Sequence, residues 1–133
     1  INSCLNIDKL NDNIIVKPFI REMREAYTMA DIVIARAGAG TLAELSALAK
    51  PSIIIPSPNV VNNHQYLNAQ ALAERNAIII LDENLLDIKG KEILSDLINN
   101  ENLQKKLSKN ISKFHNPNAI NDFIELIEKY LKN

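Results

Sequence analysis

One cysteine, Cys4, in 133 residues excludes an internal disulfide and fits a reducing compartment. No apolar run approaches the roughly 20 residues that a membrane-spanning helix needs. No basic stretch followed by an apolar one opens the chain, so a signal peptide is not expected. The start at Ile1 rather than Met leaves open a fragment or a natural single-domain chain. Charge of one sign is also missing. A net charge of −1 gives no basic footprint for nucleic acid, so no nucleic-acid partner is expected. His64 has no cysteine or second histidine near it at ligand spacing, which argues against a metal. His115, in a linker beside Pro117, reads as solvated. Ser46 and Ser52 have no paired base nearby, so no nucleophile, base and orienting group form a set.

Glycine is scarce too. Only three occur, and two of them, Gly38 and Gly40, sit together in Ile32-Val33-Ile34-Ala35-Arg36-Ala37-Gly38-Ala39-Gly40-Thr41-Leu42-Ala43-Glu44-Leu45. A β-branched run stops there, a glycine turn follows, and a helix-forming run begins. Glycine serves where the backbone needs positive φ or must approach something closely. A helix N-terminus after such a turn offers free N–H groups and the positive end of the helix dipole, a site for phosphate or another anion. A tight connection with no ligand is the plainer reading, and both stand on this stretch alone.

What is present is one domain, residues 1–133, by size. With 47 % hydrophobic and 23 % charged residues it can bury a core of its own. Ile1–Leu10 has no readable period, and Asn11-Asp12-Asn13 is a turn cluster. Ile14–Val16 reads as a buried strand, ended by Pro18. Ile20–Met29 reads as a helix, with Ile20, Met23, Tyr27 and Ala30 at helical spacing. Its charged residues Arg21, Glu22, Arg24 and Glu25 read as a solvated face. Further strands are expected at Ile32–Ala35, Ser52–Ile55 and Ala77–Leu81. Helices are expected from the glycine turn to Lys50-Pro51 and from His64 or Gln65 to Arg75. Leu85–Asn100, Leu103–Phe114 and Ala119–Leu131 read as three amphipathic helices. Asn84, Asn100 or Glu101, and Asn118 are their expected starts, and Pro117 suits the first turn of the last.

This alternation predicts α/β architecture with a mostly parallel sheet and a helical C-terminal tail. Strands apolar on both faces suit a sheet covered on both sides. Ligands of such sheets bind beyond the strand carboxyl ends. Lys17–Ile20, Arg36–Thr41 and Pro56–Gln65 are the loops expected there.

Single residues keep two readings each. Thr41 and Glu44 match a capping box. Alternatively Thr41 and its neighbouring amides hold a phosphate while the Glu44 carboxylate accepts from two sugar hydroxyls. Arg36 pairs with phosphate or with an acid such as Glu44. Asn62, Asn63, His64, Gln65 and Asn68 form a neutral polar cluster able to donate to and accept from sugar hydroxyls, and Asn62 or Asn63 alternatively caps the helix.

Four blocks carry a resemblance: Pro18-Phe19-Ile20, Ala30–Glu44, Pro51–Pro56 and Asn62-Asn63-His64-Gln65-Tyr66-Leu67-Asn68-Ala69. In this order and spacing they resemble the C-terminal domain of the MurG family, within glycosyltransferase family 28. The resemblance is strong over Ile14–Leu81 and one of layout beyond. It implies a Rossmann-like parallel sheet flanked by helices, the C-terminal half of a GT-B glycosyltransferase. It also implies UDP-N-acetylglucosamine as donor, inversion at the anomeric carbon, no cofactor and no essential metal. It implies an undecaprenyl-linked acceptor, lipid I, bound through an N-terminal domain not in this sequence, and a place on the inner face of the cell membrane. The first strand of the C-terminal domain is missing as well, and transfer is not expected from these residues alone. By position, the Ile20 backbone meets uracil. Arg36, Gly38, Ala39, Gly40 and Thr41 surround the diphosphate, Glu44 the ribose, and His64, Gln65 and Asn68 the sugar. Some relatives carry glutamine where His64 stands. Two other functions stay open: a single-domain catalytic subunit of a lipid-linked N-acetylglucosamine transferase, and a non-catalytic nucleotide-sugar-binding module. For the latter, Ile120, Phe123, Ile124, Ile127 and Leu131 offer a face that packs either on a partner or on this chain's own sheet.

Overall fold

A computed structural model describes residues 13–58 and 64–131. Three short strands, β1 (Val33–Ala35), β2 (Ser52–Ile54) and β3 (Ile79–Ile80), form one sheet in the order β1-β2-β3. Both pairings are parallel, with Val33 opposite Ser52, Ile34 opposite Ile53 and Ile53 opposite Ile79. Parallel neighbours need a crossover. Helix α2 (Ala39–Ala47) supplies the first, and α3 (His64–Ala73) the second. Helix α1 (Met23–Met29) precedes β1, and α4 (Leu86–Asn99), α5 (Glu101–Ile111) and α6 (Ala119–Leu131) follow the sheet.

Side chains alternate across a strand, so each strand feeds two cores. On one face, Ile54 and Ile78 are buried with Tyr27, Leu42, Leu45, Ala69 and Leu72 from α1, α2 and α3. On the other, Ile53 and Leu81 are buried with Leu97 of α4 and Leu107 of α5, beside Ile32, Ile55 and Ile79. The fully buried run Ser52-Ile53-Ile54 is what a sheet covered on both faces requires. The two helices read as the start of a tail, α4 and α5, therefore complete the sandwich.

Two helix ends share one device. After α2, the Lys50 amide donates to the Leu45 carbonyl and the Ala49 amide to Ser46. After α3, Ala77 donates to Leu72 and Asn76 to Ala73. Both are Schellman ends, which need a left-handed residue at the turn. Ala49 and Asn76 take that role, each at φ 52°. Lys50 then bonds the end of α1, its Nζ donating to the Ala30 carbonyl at 2.8 Å. At the α5 start, the Asn100 side chain caps the helix by accepting from the Leu103 amide. Asn84 plays no such part, because it lies inside the 3-10 turn Glu83–Leu85 that leads into α4. Asn118 stands immediately before the first residue of α6, where the sequence places its start. Asn116 accepts from the Asn118 amide, and the Asn118 carbonyl accepts from Asp122.

The strand expected at Ile14–Val16 does not form. Ile15 is 80 % exposed, and Ile14 and Val16 are about half exposed. An apolar run becomes a strand only by pairing, and the described sheet stops at β1. The last helix also differs from a simple cover. On α6, Ile124 and Ile127 remain 48 % and 42 % exposed, while the side chains of Ile120, Phe123 and Leu131 lie outside the described residues. Residues 59–63, with Asn62 and Asn63, and Cys4 lie outside them too. Among the described residues, no helix is long and apolar enough to cross a membrane.

Candidate functional site

Helix α2 begins three residues earlier than a Thr41 cap requires. Gly38 is its N-cap, and Ala39, Gly40 and Thr41 form its first turn. The first bond of the helix runs from the Leu42 amide to the Gly38 carbonyl at 3.0 Å. The amides of Ala39, Gly40 and Thr41 thus have no acceptor within the helix. Gly38 lacks a side chain to cap them, and no side chain among the described residues does so. The capping-box reading of Thr41 and Glu44 is therefore replaced: Thr41 sits at the third helical position, and Glu44 one turn further on.

The glycines are not there for left-handed backbone. Gly38 has φ −67° and ψ 141°, ordinary extended values, and no glycine has positive φ. A Cβ on Gly38 would lie 3.7 Å from the Thr41 hydroxyl, ordinary contact. A Cβ on Gly40 would meet nothing within 4 Å. The space over the first turn of α2 is open, and glycine keeps it so.

Glu44 lies exposed on α2, facing Tyr27 of α1. Burial raises the Tyr27 phenol above its ordinary range, and the charge of Glu44 and a hydrogen bond to it add to the rise. Arg36 leaves the end of β1 and does not meet Glu44. Its Nη2 and Nη1 donate to the two carboxylate oxygens of Glu83, at 2.8 and 3.0 Å. Nη1 also reaches the carbonyls of Ile55 and Pro56 at 3.4 and 3.5 Å. Hydrogen bonding to Arg36 holds the Glu83 carboxyl below the usual carboxylate range, and hydrogen bonding to Glu83 raises the guanidinium in turn. Of the two readings for Arg36, the acid partner is realised, with a different acid.

Gln65, in the first turn of α3, accepts from the Ser57 amide through Oε1 at 3.0 Å. Asn68, one turn on, is exposed. His64 opens the helix, and its side chain lies outside the described residues. Ile20 lies in the segment before α1. It lines a groove of about 970 Å³ with Ile15, Val16, Phe19 and Met29, and no residue of the glycine turn takes part. The loop Lys17–Ile20, expected beyond a strand end, follows no strand, because Ile14–Val16 forms none. A smaller cleft of about 300 Å³ lies between Pro56, Ser57, Pro58, Tyr66, Asp82, Glu83 and Asn84. Ser46 and Ser52 are buried and spend their hydroxyls on the carbonyls of Leu42 and Lys50.

The structure thus joins Arg36 and Gln65 through the loop after β2. The group missed from sequence is Glu83. It follows the carboxyl end of β3, so the rule that singled out the loops after the other strands also covers it.

Residues 2–127 match the model of the glycosyltransferase family 28 C-terminal domain. Over 120 residues the chain is 46 % identical to a UDP-N-acetylglucosamine--N-acetylmuramyl-(pentapeptide) pyrophosphoryl-undecaprenol N-acetylglucosamine transferase of Desulforamulus reducens, covering 90 % of this chain and 32 % of that protein. A protein of the same name from Flavobacterium psychrophilum is 41 % identical over 91 % of this chain and 33 % of its own. The crystal structure of Acinetobacter baumannii MurG superposes with a TM-score of 0.76 at 31 % identity, over 85 % of this chain and 33 % of that one. The chain spans about a third of the length of these relatives. With its parallel sheet between two helical layers and this match over nearly its whole length, the chain belongs to glycosyltransferase family 28, as that family's C-terminal domain.

Proposed function

We propose that this chain is the UDP-N-acetylglucosamine-binding part of an inverting N-acetylglucosaminyltransferase whose acceptor is an undecaprenyl-linked pyrophosphoryl sugar, as in the making of lipid II from lipid I. The observation that carries the reading is the open first turn of α2, with three amides lacking helical acceptors and no side chain over Gly40. Relatives with 41 to 46 % identity that are named for this transfer support the choice of donor.

In this reading the amides of Ala39, Gly40 and Thr41 and the Thr41 hydroxyl hold the diphosphate. The Glu44 carboxylate accepts from both ribose hydroxyls. His64 and Gln65, in the first turn of α3, and Asn68, one turn on, reach the sugar, and the Ile20 backbone reads the uracil edge. Arg36 contributes as scaffold to the diphosphate loop. Attack by the acceptor hydroxyl on the anomeric carbon breaks the bond to the diphosphate. Negative charge then grows on the leaving UDP, where the α2 dipole and its amides stabilise it without moving. The base that takes the acceptor proton comes from outside the described residues. Because the acceptor is lipid-linked, the full-length protein works at a membrane surface, on its cytoplasmic side.

Isothermal titration of the full-length protein with UDP-N-acetylglucosamine tests the assignment. Binding of this donor in preference to other nucleoside diphosphate sugars is expected. Equal or tighter binding of another one would overturn the donor, and no binding of any would overturn the site.

A further inference from the structure

We infer that Glu83 is a positioning residue for the donor site, acting through the Arg36 guanidinium on the loops after β1 and β2. The inference rests on the donor-binding reading above and adds a residue to it.

Arg36 stands two residues before Gly38, the N-cap of the helix whose first turn forms the anion site. A guanidinium offers its donors in a rigid planar fork, and a carboxylate matches that fork edge to edge. Glu83 fills it with both oxygens, at 2.8 and 3.0 Å. The same Nη1 lies over the carbonyls of Ile55 and Pro56. The next residue, Ser57, is gripped by Gln65 of α3 at 3.0 Å. A continuous chain of polar contacts therefore runs from Glu83 beyond β3, through Arg36 beyond β1, to Pro56 and Ser57 beyond β2, and on to Gln65. It ties the diphosphate turn to the sugar-binding helix.

With two of its donors committed to Glu83, Arg36 is oriented rather than free. Its side chain is half exposed, as is that of Glu83, so packing does not hold it. The carboxylate does. Without that charge the long Arg36 side chain regains its rotamers and the two loops lose their common anchor. Donor binding would then have to restore the order, which weakens affinity while leaving the chemistry of the bound state intact.

The test uses the full-length protein, with Kd for UDP-N-acetylglucosamine from calorimetry and donor KM and kcat from transfer assays. Glu83→Gln keeps the shape and removes the charge. It is expected to raise Kd and KM about two- to fivefold, the range for an exposed ion pair, with kcat changed by less than about twofold. Glu83→Asp keeps the charge and is expected to stay nearer the parent. Combining Glu83→Gln with Arg36→Gln is expected to cost no more than Arg36→Gln alone, since the two act as one unit. Unchanged affinity in Glu83→Gln, or strictly additive losses in the double variant, overturns the positioning role. Tighter binding in Glu83→Gln overturns it too, because Glu83 would then compete with the donor for Arg36. Failure of the parent protein to bind the donor shows in the parent alone and removes the donor reading together with this one.

Discussion

The Ser57 amide donates to the Gln65 side-chain oxygen at 3.0 Å, across the loop that joins β2 to α3. The oxygen of this side chain is thus engaged within the protein, and under the proposed donor reading its amide NH2 is the group that meets the sugar. Gln65→Glu keeps the acceptor for Ser57 and removes both donors. Gln65→Ala removes the loop bond as well. Both variants are expected to weaken binding of UDP-N-acetylglucosamine, by about five- to twentyfold for a lost polar contact. Only Gln65→Ala is expected to lower the melting temperature. Titration calorimetry and thermal unfolding, run side by side, separate the two effects.

Glu44 and Tyr27 provide a second handle. Folding raises the Tyr27 phenol above 10.0 by burial, with the Glu44 charge adding to it. A group raised on folding gives stability that is complete below the unfolded value and is lost as pH rises toward the folded one. Unfolding experiments above pH 10.0 are therefore expected to show falling stability that Tyr27→Phe lessens. Glu44→Gln removes the charge and is expected to reduce that alkaline loss. It is also expected to weaken donor binding with little change in stability near neutral pH, because Glu44 is exposed and caps nothing. A large stability loss with unchanged donor affinity would assign Glu44 to the scaffold.

Ala49 is held at φ 52°, where a Cβ crowds the following carbonyl. The Schellman end of α2 needs that conformation, and glycine is the residue suited to it. Ala49→Gly is expected to stabilise the domain by about 0.5–1 kcal/mol, the relieved strain less the added chain entropy of glycine. Asn76→Gly, at the matching end of α3, is expected to gain less, since asparagine tolerates this region. Urea unfolding midpoints of the two variants decide the order.

The parallel sheet was legible because Ile32–Ala35, Ser52–Ile55 and Ala77–Leu81 are unbroken apolar runs between helical periods. The structure trims each by one to three residues but keeps its place. Ile14–Val16 has the same composition and forms no strand, since pairing decides strands and composition cannot report a neighbour. Of the two readings of Thr41 and Glu44, the capping box fails for a local reason. Thr41 and Glu44 carry the letters of a capping box, yet Gly38, with no side chain, occupies the cap. Glu83 was invisible as the partner of Arg36 because 47 residues separate them. Only the parallel register, which sets the carboxyl ends of β1 and β3 on either side of β2, brings them together.

Gly40 offers the sharpest separation of fold from function. It lies in the first turn of α2, and an added Cβ would touch nothing within 4 Å. The fold therefore has no steric use for glycine there, and its φ is not positive. In a helix, alanine is favoured over glycine by about 0.5–1 kcal/mol. Gly40→Ala is accordingly expected to raise the melting temperature. A diphosphate seated on the amides of Ala39, Gly40 and Thr41 would meet that methyl group, so donor affinity is expected to fall at least about tenfold, the size of one lost charge-assisted contact. A more stable protein with weakened donor binding is the signature of a glycine kept for its ligand. If Gly40→Ala binds UDP-N-acetylglucosamine as the parent does, the diphosphate lies elsewhere, and the turn before α2 is a connection and nothing more.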